Sequence, residues 1–162
     1  MCYNKKMKVY DKEYIYKQKV HRVLAQSYII YFILFLFGVY LDLIFHFKLF
    51  TNPIIVVLGI PLLAFGTFLI FWAQKTSNSL HKKAISKENF CRGPYCYTRS
   101  PTHWGLFFLV IGFGIVINAV FVVLFTLVAF LVTRLIFLDK QEKILEEKYG
   151  THYAEYKKLV KF

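Results

Sequence analysis

Between two long apolar blocks lies Gly93 to Gly105, G-P-Y-C-Y-T-R-S-P-T-H-W-G, where turn formers, a cation, hydroxyls and aromatics crowd together. Its second half reads as a loop entering a helix: Ser100 suits an N-cap, Pro101 the first helical position, and an apolar run follows from Trp104. A helix start leaves backbone N–H groups without intrahelical partners, and beside Arg99 these would form a receptor for a carboxylate or phosphate. The same residues equally suit a capped helix start at a membrane surface, and their spacing leaves both readings open.

A second polar cluster, Asp139 to Tyr156, follows the last apolar block and carries Gln141 and Glu142. If the two clusters meet, cationic and N–H donors from the first face an amide and a carboxylate from the second. A zwitterionic ligand would be matched by such a pair. Glu142 has an alternative role, because Asp139 and Glu142 stand at the D-x-x-E spacing of a capping box. Asp42 and His46, four apart near the end of the first apolar block, either share a proton or reach the membrane interface. Cys2, Cys91 and Cys96 form neither a disulfide framework nor a zinc pattern, and free thiols are expected.

The elements that must position these residues are set by composition. At 57% hydrophobic and 20% aromatic over 162 residues, the chain is too apolar for an ordinary soluble domain and too short for several. A net charge of +12 raises nucleic acid as a partner, but the cations flank the apolar runs, which suits anionic headgroups instead. Tyr28 to Phe47 is long enough to cross a hydrocarbon core of roughly 30 Å, and Ile54 to Trp72, with Gly59, Pro61 and Gly66, reads as a second span. Trp104 to Leu138 exceeds one crossing and suits a hairpin of two helices turning near Asn118, with Gly105, Gly112 and Gly114 letting its arms approach. Arg134, inside that stretch, either faces an acceptor or snorkels to the headgroups.

The expected fold is therefore all-α: an integral membrane bundle of about four transmembrane helices, with a C-terminal hairpin and cytoplasmic amphipathic helices. It forms one domain, residues 1–162, with a basic interfacial segment over 1–22, two spans over 28–72, and the loop, hairpin and tail over 73–162. A short surface helix is expected over Ser79 to Lys87. Gly150 should stop the tail helix and Thr151 restart it, with Tyr153, Tyr156 and Val160 on one face and Lys157, Lys158 and Lys161 on another. Lys48 is the cation of the outer turns, so both termini and the Gly93–Gly105 loop are expected on the cytoplasmic side.

From about residue 85 onward the chain resembles the isoprenylcysteine carboxyl methyltransferase and phospholipid methyltransferase group of membrane enzymes. The matching positions are Gly93, Pro94, Tyr95, Arg99, Pro101 and Gly105, then Glu142 and Leu145, then Tyr149, Gly150, Tyr153, Tyr156 and Val160. The resemblance implies an S-adenosyl-L-methionine-dependent methyltransferase acting on a lipid-like or prenylated acceptor drawn from the membrane lipids, without nucleic acid or metal. It places Tyr95, Ser100, Pro101, Thr102, His103, Gly105, Gln141 and Glu142 at the cofactor. On the residues' own chemistry Arg99 and Glu142 are expected to be the catalytic pair, Arg99 orienting an anionic group and Glu142 holding the cofactor's ammonium or ribose, with Arg134 as the candidate on the substrate side. Ser100 stands where the group has His, His103 where it has Tyr, and Gln141 where it has Glu. These departures remove a ring contact and one negative charge near the cofactor. Two other classes are compatible with such a chain, a nicotinamide-dependent membrane reductase of the steroid reductase type and a non-catalytic lipid-binding protein.

Overall fold

A computed structural model describes residues 2–48, 51, 53–80 and 93–160. The regular structure among them is helical, apart from an isolated backbone bridge between Lys48 and Ala119. Helix α1 spans Cys2–Phe45, α2 Pro53–Val57 and α3 Gly59–Leu80. A 3-10 turn over Gly93–Cys96 precedes α4, Pro101–Val116. Then α5, Val120–Val132, runs through a π-helical segment, Thr133–Leu138, into α6, Asp139–Tyr149, and α7 spans Thr151–Leu159. In hydrocarbon every backbone N–H and C=O needs an internal partner, and an apolar run satisfies that as a helix.

Among the described residues two helices are long and apolar enough to cross a membrane: Gln18–Phe45, whose apolar 18-residue stretch has mean hydropathy 2.3, and the continuous Val120–Tyr149, whose stretch has 2.7; Pro101–Val116 is apolar but shorter. The bundle's outer faces carry large bare side chains such as Phe32, Phe71 and Leu135. Apolar surface on that scale is stable against lipid, not water. The basic residues near the N-terminus belong to α1 itself and not to a separate interfacial helix, because no Pro or Gly interrupts the chain before Gly38. Ser79 and Leu80 are likewise the end of α3, and residues 81–92, the rest of the expected surface helix, lie outside the described residues.

Two seams hold the bundle together. Along the first, Gly59 and Gly66 of α3 face Gly112 and Gly105 of α4 so closely that a Cβ on Gly66 would stand 2.7 Å from the Gly105 carbonyl oxygen, and one on Gly59 2.7 Å from that of Gly112. Only hydrogen fits there. Gly105 and Gly112 thus serve the α3–α4 contact, and Gly114 alone of the three meets α5, at Val122 and Val123. Along the second seam α1 packs against α5, with Phe37 edge-on to Phe125 at 5.1 Å between centroids and Gly38 opposite the Val122 backbone.

Asp42 closes the second seam. Its Oδ1 accepts from the Phe121 amide at 3.1 Å and its Oδ2 from the Val122 amide at 2.9 Å. The N-cap of α5 is Ala119, which has no polar side chain, so a carboxylate from another helix satisfies the amides that its own sequence leaves bare. The Asp42 carboxylate therefore neither shares a proton with the His46 ring nor serves only to reach the interface; the His46 amide donates to the Asp42 carbonyl at 3.0 Å, and His46 turns at φ 52 with its Nδ1 3.2 Å from the Ile44 carbonyl.

The chain turns again at Ile117–Ala119, with Asn118 at φ 58, and Phe130 of α5 then packs on Trp104 and Phe107 of α4 at 4.8 and 4.4 Å. That register brings the π segment level with the start of α4. Each residue inserted by a π turn rotates the remainder of the helix by about 100° around the axis, so the segment re-aims α6 relative to α5. Cys96 is disulfide-bonded, which corrects the expectation of a free thiol there; Cys91 lies outside the described residues.

Candidate functional site

The loop before α4 is seated by Gly93, whose φ of 56 and close approach to Thr76 Oγ1 and Trp72 Nε1 leave no room for a side chain. Pro94 is fully buried, and its carbonyl accepts from the amides of Tyr97 and Thr98 at 3.1 and 3.2 Å. The Thr98 hydroxyl then accepts from the Ser100 amide at 3.3 Å. These bonds turn Arg99 inward, where its side chain is 15% exposed.

There Arg99 meets α6. Its Nη1 donates to Glu142 Oε1 at 2.6 Å, and the Glu142 side chain is only 8% exposed. The other oxygen, Oε2, is 2.8 Å from Lys157 Nζ, which also lies 3.0 Å from Glu146 Oε1. Glu142 is thus not the far end of a capping box: the helix enters α6 without a break, with Leu138 and Asp139 both helical and no side-chain cap. Lys158 is exposed and Lys161 lies outside the described residues, while Lys157, expected on an outer face with both, turns toward α6 instead. The signal for its position is the Glu142–Glu146 pair one turn apart on α6, two carboxylates that need cations. Hydrogen bonds to Glu142, then to Glu146, hold its ammonium above the usual lysine range.

A short aromatic cap closes over this array. Tyr153, Tyr156 and Val160, in and just after α7, bury themselves against Leu145 and Tyr149 of α6, and the Tyr156 hydroxyl donates to the Tyr95 carbonyl at 2.6 Å. Gly150, at φ 58, supplies the bend between the two helices, as expected of a stop there. Burial, and then the Glu142 charge, raises the Tyr153 phenol well above its ordinary range; burial, and then Tyr95, does the same for Tyr156. Tyr95 is also raised, chiefly by burial, although a hydrogen bond with Ser77 opposes the shift. All three phenols stay neutral beside the ion pairs.

The remaining loop residues divide. Ser100 is buried and occupies the N-cap position without a side-chain cap, while its carbonyl accepts from His103 and Trp104 at 3.1 and 3.3 Å. Those two amides are therefore engaged, and the helix end is a poorer anion receptor than its sequence suggests. Pro101 is fully buried, Thr102 half-buried, and Gly105 lies against Ile70 and Gly66. Gln141 and Arg134 are half-buried on α6 and on the π segment.

His103 makes a contact that the sequence does not announce. Its Nε2 is 3.2 Å from Ser27 Oγ on α1, and the Ser27 hydroxyl donates to the Leu24 carbonyl at 2.7 Å. Since Ser27 has one proton and Leu24 takes it, His103 must donate from Nε2, and Nδ1 is left as an acceptor. That atom is buried and has no hydrogen-bond partner among the described residues; the same holds for Tyr31 Oη and Thr133 Oγ1. Buried polar atoms without partners are costly, so each of the three calls for an explanation in this fold.

A family model described as phospholipid methyltransferase matches residues 54–152, a range that includes Arg99, His103 and Glu142 and stops short of Lys157. No curated protein and no solved structure matches the chain.

Proposed function

The chain belongs to the phospholipid methyltransferase family of membrane enzymes, and from that premise we propose that it moves a methyl group from S-adenosyl-L-methionine to a lipid-like acceptor at the membrane surface. The observation that carries the reading is the buried Arg99–Glu142 pair, which joins the loop before α4 to the helix beyond α5. Opposite charges so placed match the two ends of an amino-acid group. Tyr95, Ser100, Pro101, Thr102, His103 and Gln141 line the nucleoside side, and the bare His103 Nδ1 is an acceptor suited to an amino or hydroxyl donor there.

When bound, that cofactor supplies a methyl group on a sulfonium sulfur, and the acceptor's lone pair forms the new bond to carbon while the carbon–sulfur pair leaves on sulfur. The protein's work is to position and to exclude water. Glu142 and Arg99 orient the charged end, and the neutral phenols of Tyr153 and Tyr156 roof the site without adding charge. Gly105 acts by drawing α4 against α3.

An apolar groove of about 380 Å³ supports a lipid-like acceptor. It runs between α3 and α4, lined by Phe65, Phe68, Trp72 and Trp104, and its rim carries Tyr97 and Thr98, next in the chain to Arg99. A hydrocarbon tail in the groove would bring its polar head toward that loop. Arg134 is assigned to the acceptor's head.

Four crossings, with α3 and α4 beside the two longer helices and both termini cytoplasmic, agree with the cation distribution. The Cys96 disulfide pulls the other way, since such bonds persist in oxidising compartments. The cation bias extends over three segments and outweighs one bond; labelling of single cysteines from each side of sealed vesicles decides it.

The function is tested on purified protein in detergent. S-adenosylhomocysteine should raise the melting temperature and NADPH should not, because a ligand that binds only the folded state stabilises it. Methyl label from S-adenosyl-L-methionine should then appear in the lipid fraction. Stabilisation by NADPH alone would overturn the reading.

A further inference from the structure

We infer that Lys157 is an internal stand-in for a ligand's ammonium: its Nζ holds the Glu142 oxygen that the amino group of an amino-acid-bearing ligand takes, and it withdraws onto Glu146 when that ligand arrives. The inference rests on the methyl-donor reading above and makes Lys157 a specificity-determining residue for it.

Both oxygens of Glu142 are engaged, Oε1 by Arg99 and Oε2 by Lys157. Glu142 is enclosed, at 8% exposure, so room for a ligand ammonium at its oxygens opens when one of these two cations leaves. Arg99 is enclosed, at 15% exposure, in a loop pinned on both sides by hydrogen bonds; Lys157, at 40%, is the half in contact with solvent. Lys157 is therefore the one that moves.

The second seat already exists. Lys157 Nζ is 3.0 Å from Glu146 Oε1, so leaving Glu142 costs it one ion pair and keeps the other. No helix has to shift, because α7 is anchored separately by Tyr153, Tyr156 and Val160 and by the Tyr156 bond to the Tyr95 carbonyl. Only the flexible lysine side chain swings, and at 40% exposure its ammonium leaves the enclosed Glu142 for a seat in contact with water. The exchange is charge-neutral: one ammonium replaces another at Glu142. A ligand without an ammonium gains nothing from the seat, since displacing Lys157 would leave Glu142 with Arg99 alone. The array thus selects for a cationic amino-acid end over a bare nucleoside.

The test measures binding by calorimetry for the wild type, Lys157→Met, Glu146→Gln and the double variant, with S-adenosylhomocysteine and with 5′-methylthioadenosine, which lacks the amino-acid end. Lys157→Met should bind S-adenosylhomocysteine about threefold tighter or more and methylthioadenosine unchanged. Glu146→Gln, which removes the second seat, should weaken S-adenosylhomocysteine binding, and should have no effect once Lys157 is gone. A further arm needs no variant: an amine-acylating reagent, read by mass spectrometry, should label Lys157 of the wild type more when S-adenosylhomocysteine is present. Weaker binding by Lys157→Met would show that the lysine touches the ligand itself, and unchanged binding or labelling would show no competition; either result overturns the inference and leaves the methyl-donor reading standing. Failure of the wild type to bind S-adenosylhomocysteine at all overturns both.

Discussion

Asp42 of α1 captures the amides of Phe121 and Val122 at 3.1 and 2.9 Å, capping a helix that begins some 80 positions further along the chain. One turn earlier, Gly38 lets α1 come close enough for this, since a Cβ there would lie 3.0 Å from the Val122 Cα. Asp42→Ala should leave two partly buried amides bare and lower stability by about 2 kcal/mol. Asp42→Asn, which keeps an acceptor but loses the charge, should fall between. Thermal unfolding in detergent checks both, and an alanine variant as stable as the wild type would remove the cap from the account of the fold.

The Arg99–Glu142 pair makes a different demand. Glu142→Gln preserves shape and removes charge, while Arg99→Lys preserves charge and removes the planar fork. Both should abolish stabilisation by S-adenosylhomocysteine and reduce methyl transfer on the order of a hundredfold. The fold should survive Arg99→Lys, because Glu142 keeps its contact with Lys157. Unchanged ligand binding in either variant would show that the pair is structural.

The aromatic cap gives the protein an alkaline limit. Burial raises the phenols of Tyr153 and Tyr156 above their ordinary value of 10.0. Below about pH 10 both folded and unfolded chains are protonated there, and the cap contributes fully. Above it the unfolded chain loses protons that the folded chain retains, so stability must fall as pH rises. Melting temperature measured from about pH 8 to 11 should decline from about pH 10. Tyr156→Phe should flatten part of that slope and also cost about 1 kcal/mol at neutral pH, the worth of its bond to the Tyr95 carbonyl.

Trp72 and Trp104 are the chain's two tryptophans, and both line the apolar groove. Intrinsic fluorescence is therefore a direct probe of its contents. A bromine-bearing single-chain lipid should quench the emission with saturable dose dependence in detergent, and Phe68→Asp, which places a charge where the hydrocarbon tail would lie, should weaken that quenching at least about tenfold, since a charge covered by hydrocarbon is strongly disfavoured. Non-saturable quenching, equal in the variant, would mark simple partition into the micelle.

Features that repeat along the chain are the ones its sequence makes legible. Unbroken apolar runs announce helices, Gly150 followed by Thr151 announces a stop and a restart, and the spacing of Tyr153, Tyr156 and Val160 announces a buried face. The proximity of Arg99 and Glu142 follows from motif order. Contacts between distant positions leave no such trace. Nothing around Asp42 shows that α5 begins at a residue unable to cap itself, and nothing in Thr133–Leu138 signals a π turn. Gly105 and Gly112 point away from α5 because α4 has two neighbours and the glycines favour the nearer, α3. A helical wheel puts Lys157 among the solvated lysines because it cannot see two carboxylates arriving from another helix.

The π segment leaves the enzyme dependent on a single surplus residue. Excising one position there, such as the outward-facing Leu135, would let the helix relax to ordinary winding without disturbing the glycine seam or the cap on α5. Every residue downstream would then be dialled round by about 100°. Glu142 would face elsewhere, and an otherwise intact molecule would be left with its carboxylate out of phase with Arg99.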